Sequence, residues 1–271
     1  MIFGHEPEAT DPMTLLPALT RKRQTDERMR DLVVSRENSR GLLIAFEGPD
    51  GSGKTTQRKL FKNWLKSEGH DVVTTKWNSS KLVKPLTKAR KAAHALSPEE
   101  FSLLHAADFR YRLESEVLPA LWDGQTVVAD RYLFTALARD AARGLDLHWL
   151  LELYRPLFWP DIVLYFSVSP ETSGKRIAAE RSPNYYEAGQ DVTDIADPMN
   201  SYMTFIGRVI QEYEALSKVF HFVTVDAEQT IFDQHKQIRS LYASGTRRPW
   251  QEWNQEVLVE WLRDHPEASR K

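Results

Sequence analysis

Gly48-Pro49-Asp50-Gly51-Ser52-Gly53-Lys54-Thr55-Thr56 decides how this 271-residue chain folds. Ahead of it, Leu42-Leu43-Ile44-Ala45-Phe46 is a continuous apolar run, the pattern of a strand buried on both faces. Behind it, Lys54 to Glu68 reads as a helix with Leu60, Phe61, Trp64 and Leu65 on one side, and Gly69 is a plausible stop. A strand, a Gly-x4-Gly-Lys-Thr turn and a helix, in that order, form the context a phosphate-binding loop requires. Its glycines let the backbone curl so that several N–H groups point inward at phosphate oxygens, and the helix adds its positive end. Gly48, Asp50, Gly51, Ser52, Gly53, Lys54, Thr55 and Thr56 are therefore expected around ATP. Lys54 would reach the β- and γ-phosphates, and the Thr55 hydroxyl would ligate Mg²⁺.

The cycle of strand and helix repeats outward from the loop. Residues 71–76, 126–130, 161–166 and 221–225 read as further strands, and Ser97-Pro98-Glu99-Glu100 opens a helix with Ser97 as cap. This alternation predicts a three-layer αβα sandwich on a five-stranded parallel sheet, with ligands beyond the carboxyl ends of the strands. The body built on this phosphate loop is expected over residues 40–245. Residues 1–39 read as a charged N-terminal extension. Residues 246–271, with Trp250, Trp253, Leu258 and Trp261 among charges, read as an amphipathic helix docking on the body or on a protein partner.

Bulk properties narrow the class. The chain has 36 basic and 38 acidic residues, a net charge of −2, which argues against a nucleic-acid coat. It has no cysteine, which excludes disulfides, thiolate zinc sites and cysteine nucleophiles. No run reaches a membrane span, and the N-terminal residues lack a signal-peptide pattern, so a cytoplasmic enzyme is expected.

Phe46 to Gln57 resembles the start of the thymidylate kinases. The resemblance continues at Leu103-Leu104-His105-Ala106-Ala107-Asp108, at Ala129-Asp130-Arg131-Tyr132 three residues before Thr135, and at Pro160 to Phe166; it spans about residues 41–240. It implies transfer of the ATP γ-phosphoryl group to a nucleoside monophosphate, usually dTMP, with Mg²⁺, and commonly a homodimer. By resemblance, Arg131 would hold the acceptor phosphate and Asp130 would support Mg²⁺ or its waters. Asp50 would contact the acceptor sugar or a metal-bound water, or only stabilise its own turn. Arg176, Arg181 and the stretch from Ser182 to Asp191 sit where the family has a lid. The loop carries no arginine, so Arg181 or Arg176 is expected to stabilise the transition state.

Departures from the family cluster in the acceptor pocket, for which Asp50, Lys76, His105, Asp108, Arg110, Arg131, Asp140 and Tyr186 are the expected contacts. His105 stands where the family has a stacking aromatic ring. Phe109 replaces an arginine, for which Arg110 or Arg112 could substitute. Asp140 aligns with a base-reading glutamine; as a pure acceptor it would suit a base presenting donors, such as the guanine N1/N2 edge. Trp77 could stack on a base or cover the core, and Lys76 could hold the acceptor phosphate. Two other readings stay open: a regulatory P-loop ATPase whose extensions engage a partner, and a kinase of another acceptor.

Overall fold

The computed structural model describes residues 41–155 and 158–245. The two extensions lie outside the described residues. Five strands form one sheet: β1 (Leu42–Glu47), β2 (Val72–Lys76), β3 (Thr126–Asp130), β4 (Ile162–Ser167) and β5 (Val223–Asp226). Their order is β2-β3-β1-β4-β5, and every pairing is parallel. The register sets Phe46 and Lys76 beside Asp130, and Glu47 beside Tyr165, so the carboxyl ends of the inner strands lie level.

The helices are α1 (Lys54–Ser67), α2 (Lys84–Ala92), α3 (Pro98–Arg112), α4 (Leu118–Trp122), α5 (Leu133–Ala141), α6 (Leu147–Leu153), α7 (Pro170–Glu180), α8 (Tyr185–Ala188), α9 (Pro198–Val219) and α10 (Ile231–Ala243). Side-chain alternation splits β1 between the two faces of the sheet. Leu42, Ile44 and Phe46 pack with Phe61 and Leu65 of α1 and Ile238 of α10. Phe46 stacks on Phe166 at 5.6 Å between centroids and meets Phe61 at 5.7 Å. Leu43, Ala45 and Glu47 point the other way, and Glu47 reaches Thr135 of α5 and Tyr213 of α9. On α1 the buried stripe is Gln57, Phe61 and Leu65 at i+4 spacing. Leu60, expected on that side, is 37% exposed, because a position just before Phe61 is turned by about 100° toward solvent.

Ser97 caps α3 through a full capping box with Glu100. Unforeseen in the sequence is a π-helical turn, Leu113–Val117, between α3 and α4. It coincides with the bond from Thr75 Oγ1 to Glu116 Oε2, 2.6 Å, which ties this helix to β2.

Phe46→Ala removes the ring on which both Phe61 and Phe166 pack. Chemical denaturation should show a loss of about 3–5 kcal/mol.

Candidate active site

The loop from Gly48 to Gly53 crosses the sheet end between β1 and α1. Gly48 has φ +139°, and a Cβ there would lie 2.8 Å from Phe166 O; Gly51 has φ +71°, and its Cβ would lie 2.8 Å from Ser173 O. Both positions need glycine for conformation and for space. No side chain caps α1 and no acid stands in its first turn, so its positive end is uncompensated by local charge. Lys54 Nζ donates to Pro49 O at 2.7 Å. Burial, then the Arg131 charge, push the Lys54 ammonium down to about 7. The base of α7 braces the loop: Ser173 Oγ donates to Asp50 O at 2.7 Å, and Arg176 donates to Gly51 O at 3.0 Å and to Ala227 O at 2.9 Å.

Arg131 follows β3 in a left-handed conformation, φ +68°, a sparsely populated state for a non-glycine residue. Its N–H donates to Phe46 O at 3.1 Å. Its guanidinium donates to Gly48 O at 3.0 Å and pairs with Asp50 Oδ1. Arg139 of α5 takes the other Asp50 oxygen at 2.8 Å. Burial opposes ionisation of Asp50, but Arg131, Arg139 and Lys54 outweigh it and hold its carboxyl below the ordinary range. Beneath them Glu47 accepts from Tyr132 N at 2.7 Å, Thr135 N at 3.2 Å, Thr135 Oγ1 at 2.6 Å and Tyr213 Oη at 2.9 Å.

Two spaces meet at Asp50 and Arg131. The outer cleft, about 890 Å³, brings together Asp50, Gly51, Gly53, Lys54, Thr55, Thr56, Lys76, Asp130, Arg176 and Arg181. The inner cavity, about 230 Å³, brings together Asp50, His105, Arg131, Asp140, Arg181 and Tyr186. Gly48 and Ser52 lie within the loop rather than on either wall, and Ser52 Oγ is buried without a partner. Arg181 is held by a bidentate pair with Glu187 at 2.6 and 2.8 Å. The ring of Tyr186 lines the cavity, while its hydroxyl accepts from Leu96 N at 2.8 Å.

Three expected acceptor contacts are placed elsewhere, and the first, Lys76, lines the outer cleft and not the inner cavity. Asp108 is fully buried and accepts from Asn78 N, Ser80 N and Arg112 Nε, so its carboxylate organises the loop after β2. Arg110 turns outward to pair with Glu114 and donate to Arg155 O, because one helical step carries it off the cavity face. Arg112 is committed to Asp108 and Thr75. Trp77 packs in the core against Phe109, His105 and Tyr154, with an edge on both spaces.

Lys91, Arg139 and Arg143 escaped the sequence reading. Thr135, Ala136, Arg139 and Asp140 all line the inner cavity, and their i, i+1, i+4, i+5 spacing was the available cue. Arg143 donates to Asp191 Oδ2 at 2.9 Å and Tyr186 O at 2.8 Å, fastening the lid segment to α5.

A glycine-rich phosphate cradle at the end of a parallel sheet, opening onto a second cavity through an arginine, defines a P-loop phosphotransferase. A family model described as thymidylate kinase matches residues 46–238. Probable thymidylate kinase 2 of Saccharolobus solfataricus is 38% identical over 204 residues, covering 74% of this chain and 95% of that one. Thymidylate kinases of Caldanaerobacter subterraneus and Schizosaccharomyces pombe are each 30% identical, covering 73% and 78% of this chain and 93% and 95% of theirs. The chain belongs to the thymidylate kinase family, and it is an ATP-dependent phosphotransferase.

Two outcomes follow from this geometry. Anionic phosphates raise the Lys54 pKa on binding, so ATP binding should take up a proton, and affinity should fall as pH rises above about 7. Calorimetry in buffers of different ionisation enthalpy measures that uptake. Arg131→Ala and Arg131→Gly remove the same guanidinium, but only glycine suits φ +68°; the glycine variant should be the more stable by about 1 kcal/mol in denaturant unfolding.

Proposed function

We propose that this chain transfers the ATP γ-phosphoryl group to the phosphate of a nucleoside monophosphate, with dTMP the first choice and related (deoxy)nucleoside monophosphates next. The observation that supports it is the meeting of the two spaces at Asp50 and Arg131. The outer cleft, walled by the loop, suits the donor; the inner cavity, walled by Trp77, Phe101 and Tyr186, suits a nucleoside. Lys54 and the α1 end bind the donor phosphates, and Arg131 binds the acceptor phosphate. Phosphoryl transfer asks mainly for alignment and charge neutralisation, which the cations at this junction provide. Asp50 keeps Arg131 and Arg139 together despite their like charge. Arg181 reaches the transferring group on leaving Glu187, and the lid segment excludes water as a competing acceptor.

Thr55 and Asp130 both line the donor cleft and offer hard oxygen donors that suit Mg²⁺, although Asp130 Oδ2 lies 3.1 Å from Arg58 Nε. Among the described residues no cluster of three or more acidic or histidine side chains could hold a metal by itself, so Thr55 and Asp130 would hold the ion together with the nucleotide. When bound, Mg²⁺ supplies charge neutralisation of the β- and γ-phosphates. No helix among the described residues is long and apolar enough to cross a membrane. A cytoplasmic setting, a homodimer, and extensions 1–39 and 246–271 that engage a protein partner complete the proposed reading. Exposed Leu103 and Tyr111 on α3 would suit the dimer. A regulatory ATPase gives no role to a nucleoside-sized cavity joined to the phosphate loop.

ADP release should be stimulated by a nucleoside monophosphate, and Lys54→Ala should lower kcat by about 10²–10³. Equal ADP release with and without every monophosphate would overturn the kinase reading.

A further inference from the structure

The turn between α2 and α3 carries a ring at a position that favours glycine. α2 ends in a Schellman motif: Ala95 N donates to Arg90 O and His94 N to Lys91 O, each at 3.1 Å. The motif needs a left-handed residue just past the helix, and here that residue is His94, with φ +49°. A side chain is held in this conformation at a cost that glycine would spare. The backbone of the turn gives no reason for histidine, so the reason is sought in its ring.

The His94 ring lies on that of Tyr185, 4.0 Å between centroids and 11° from parallel, and meets the edge of Tyr186 at 6.3 Å. Both tyrosines belong to α8, in the lid segment. Two residues further along the turn, Leu96 N donates to Tyr186 Oη at 2.8 Å. Leu96, Phe101 and Tyr186 form a small apolar cluster, against which Tyr185 packs.

α8 is a single turn of 4 residues, too short to hold its shape without outside support. Its third residue is Glu187, whose carboxylate accepts from Asn184 N at 3.2 Å in the capping box and holds Arg181 at 2.6 and 2.8 Å. Whatever fixes α8 therefore fixes where Arg181 stands. Arg143 and Ser201 support α8 from α5 and α9, through Tyr186 O and Ala188 O. The ring of its leading residue, Tyr185, rests on His94. Arg181 and Glu187 line both the inner cavity and the outer cleft, whereas His94 lines neither.

Resting on the kinase reading above, we propose that His94 is a positioning residue: its stack on Tyr185 holds α8, and with it Glu187 and Arg181, over the junction of the two spaces. The turn that joins the two acceptor-side helices thereby sets the lid above the donor phosphates. Without the stack, α8 leaves this position for part of the time, Arg181 is misplaced, and water reaches the γ-phosphoryl group. The γ-phosphorus then passes to a water oxygen instead of the acceptor phosphate oxygen. ADP and inorganic phosphate leave, and one proton goes to solvent.

The test uses the full chain with ATP–Mg²⁺ and the monophosphate that best stimulates ADP release, and measures ADP, inorganic phosphate and the nucleoside diphosphate formed. His94→Gly suits the left-handed turn and removes the ring. Its kcat for transfer should fall about 2- to 10-fold, the value of an aromatic stack. Inorganic phosphate should rise as a share of ADP, with the KM for the acceptor little changed. His94→Phe keeps a ring and should bring both readings back toward the unsubstituted chain. A histidine of purely structural importance would move the melting temperature and leave the phosphate share alone. Limited trypsin digestion reads the lid without turnover: cleavage after Arg181 should be faster in His94→Gly than in His94→Phe. A glycine variant that matches the unsubstituted chain in kcat, phosphate share and cleavage overturns this assignment alone, as does equal loss in the glycine and phenylalanine variants. Equal ADP release with and without every monophosphate, in the unsubstituted chain, rejects the kinase reading and this assignment with it.

Discussion

The buried carboxylate of Glu47 holds the site together. A charge taken out of water is costly unless its lone pairs are met, and Glu47 has four donors from two elements. Those donors are the first residues of the α5 region and a tyrosine of α9, so one side chain at the end of β1 fixes how both helices approach the phosphate loop. Between Asp130 and Tyr132 the chain has little freedom left, and Arg131 adopts its left-handed backbone there. Strain at one residue is tolerated because its neighbours are over-determined.

Above this support lies an accumulation of like charge. Arg131, Arg139, Lys54, Lys91 and Arg181 border the two spaces, and Asp50 is the carboxylate that bridges the first two. Such a field would be unfavourable in isolation, and phosphate groups are its natural counterions. The lowered pKa values of Lys54 and Lys91 and the raised pKa of Asp140 share one leading cause, burial. These charged groups are therefore largely buried in protein, where a hydrogen bond counts for more than it does in water.

Much of this was legible in the sequence because it depends on local pattern. The apolar run of β1, the glycines at 48 and 51 and the capping box at Ser97 each carry their reason within a few residues. The acceptor side depends on contacts far apart in the chain. Asp108 could not be seen to serve Asn78 and Ser80, nor Arg110 to face Glu114, without the helix phase that the cavity imposes. Arg139 was hidden because its partner, Asp50, lies 89 residues away. Leu60 misled because neighbouring apolar positions on one helix need not share a face.

The way the lid segment is fastened sets a timescale. Its leading helix is tied to the phosphate loop through Ser173 and Arg176, and its trailing part is tied by Arg143 to Tyr186 and Asp191 and by Ser201 to Ala188 O. Only the few residues around Arg181 to Asn184 lie between these moorings. Arg181, half exposed, is held by Glu187 alone among the side chains of the described residues. On the proposed reading, moving Arg181 from Glu187 to a phosphate would be a rotamer change, a matter of picoseconds to nanoseconds for an exposed side chain, rather than the microsecond-to-millisecond swing of a whole domain.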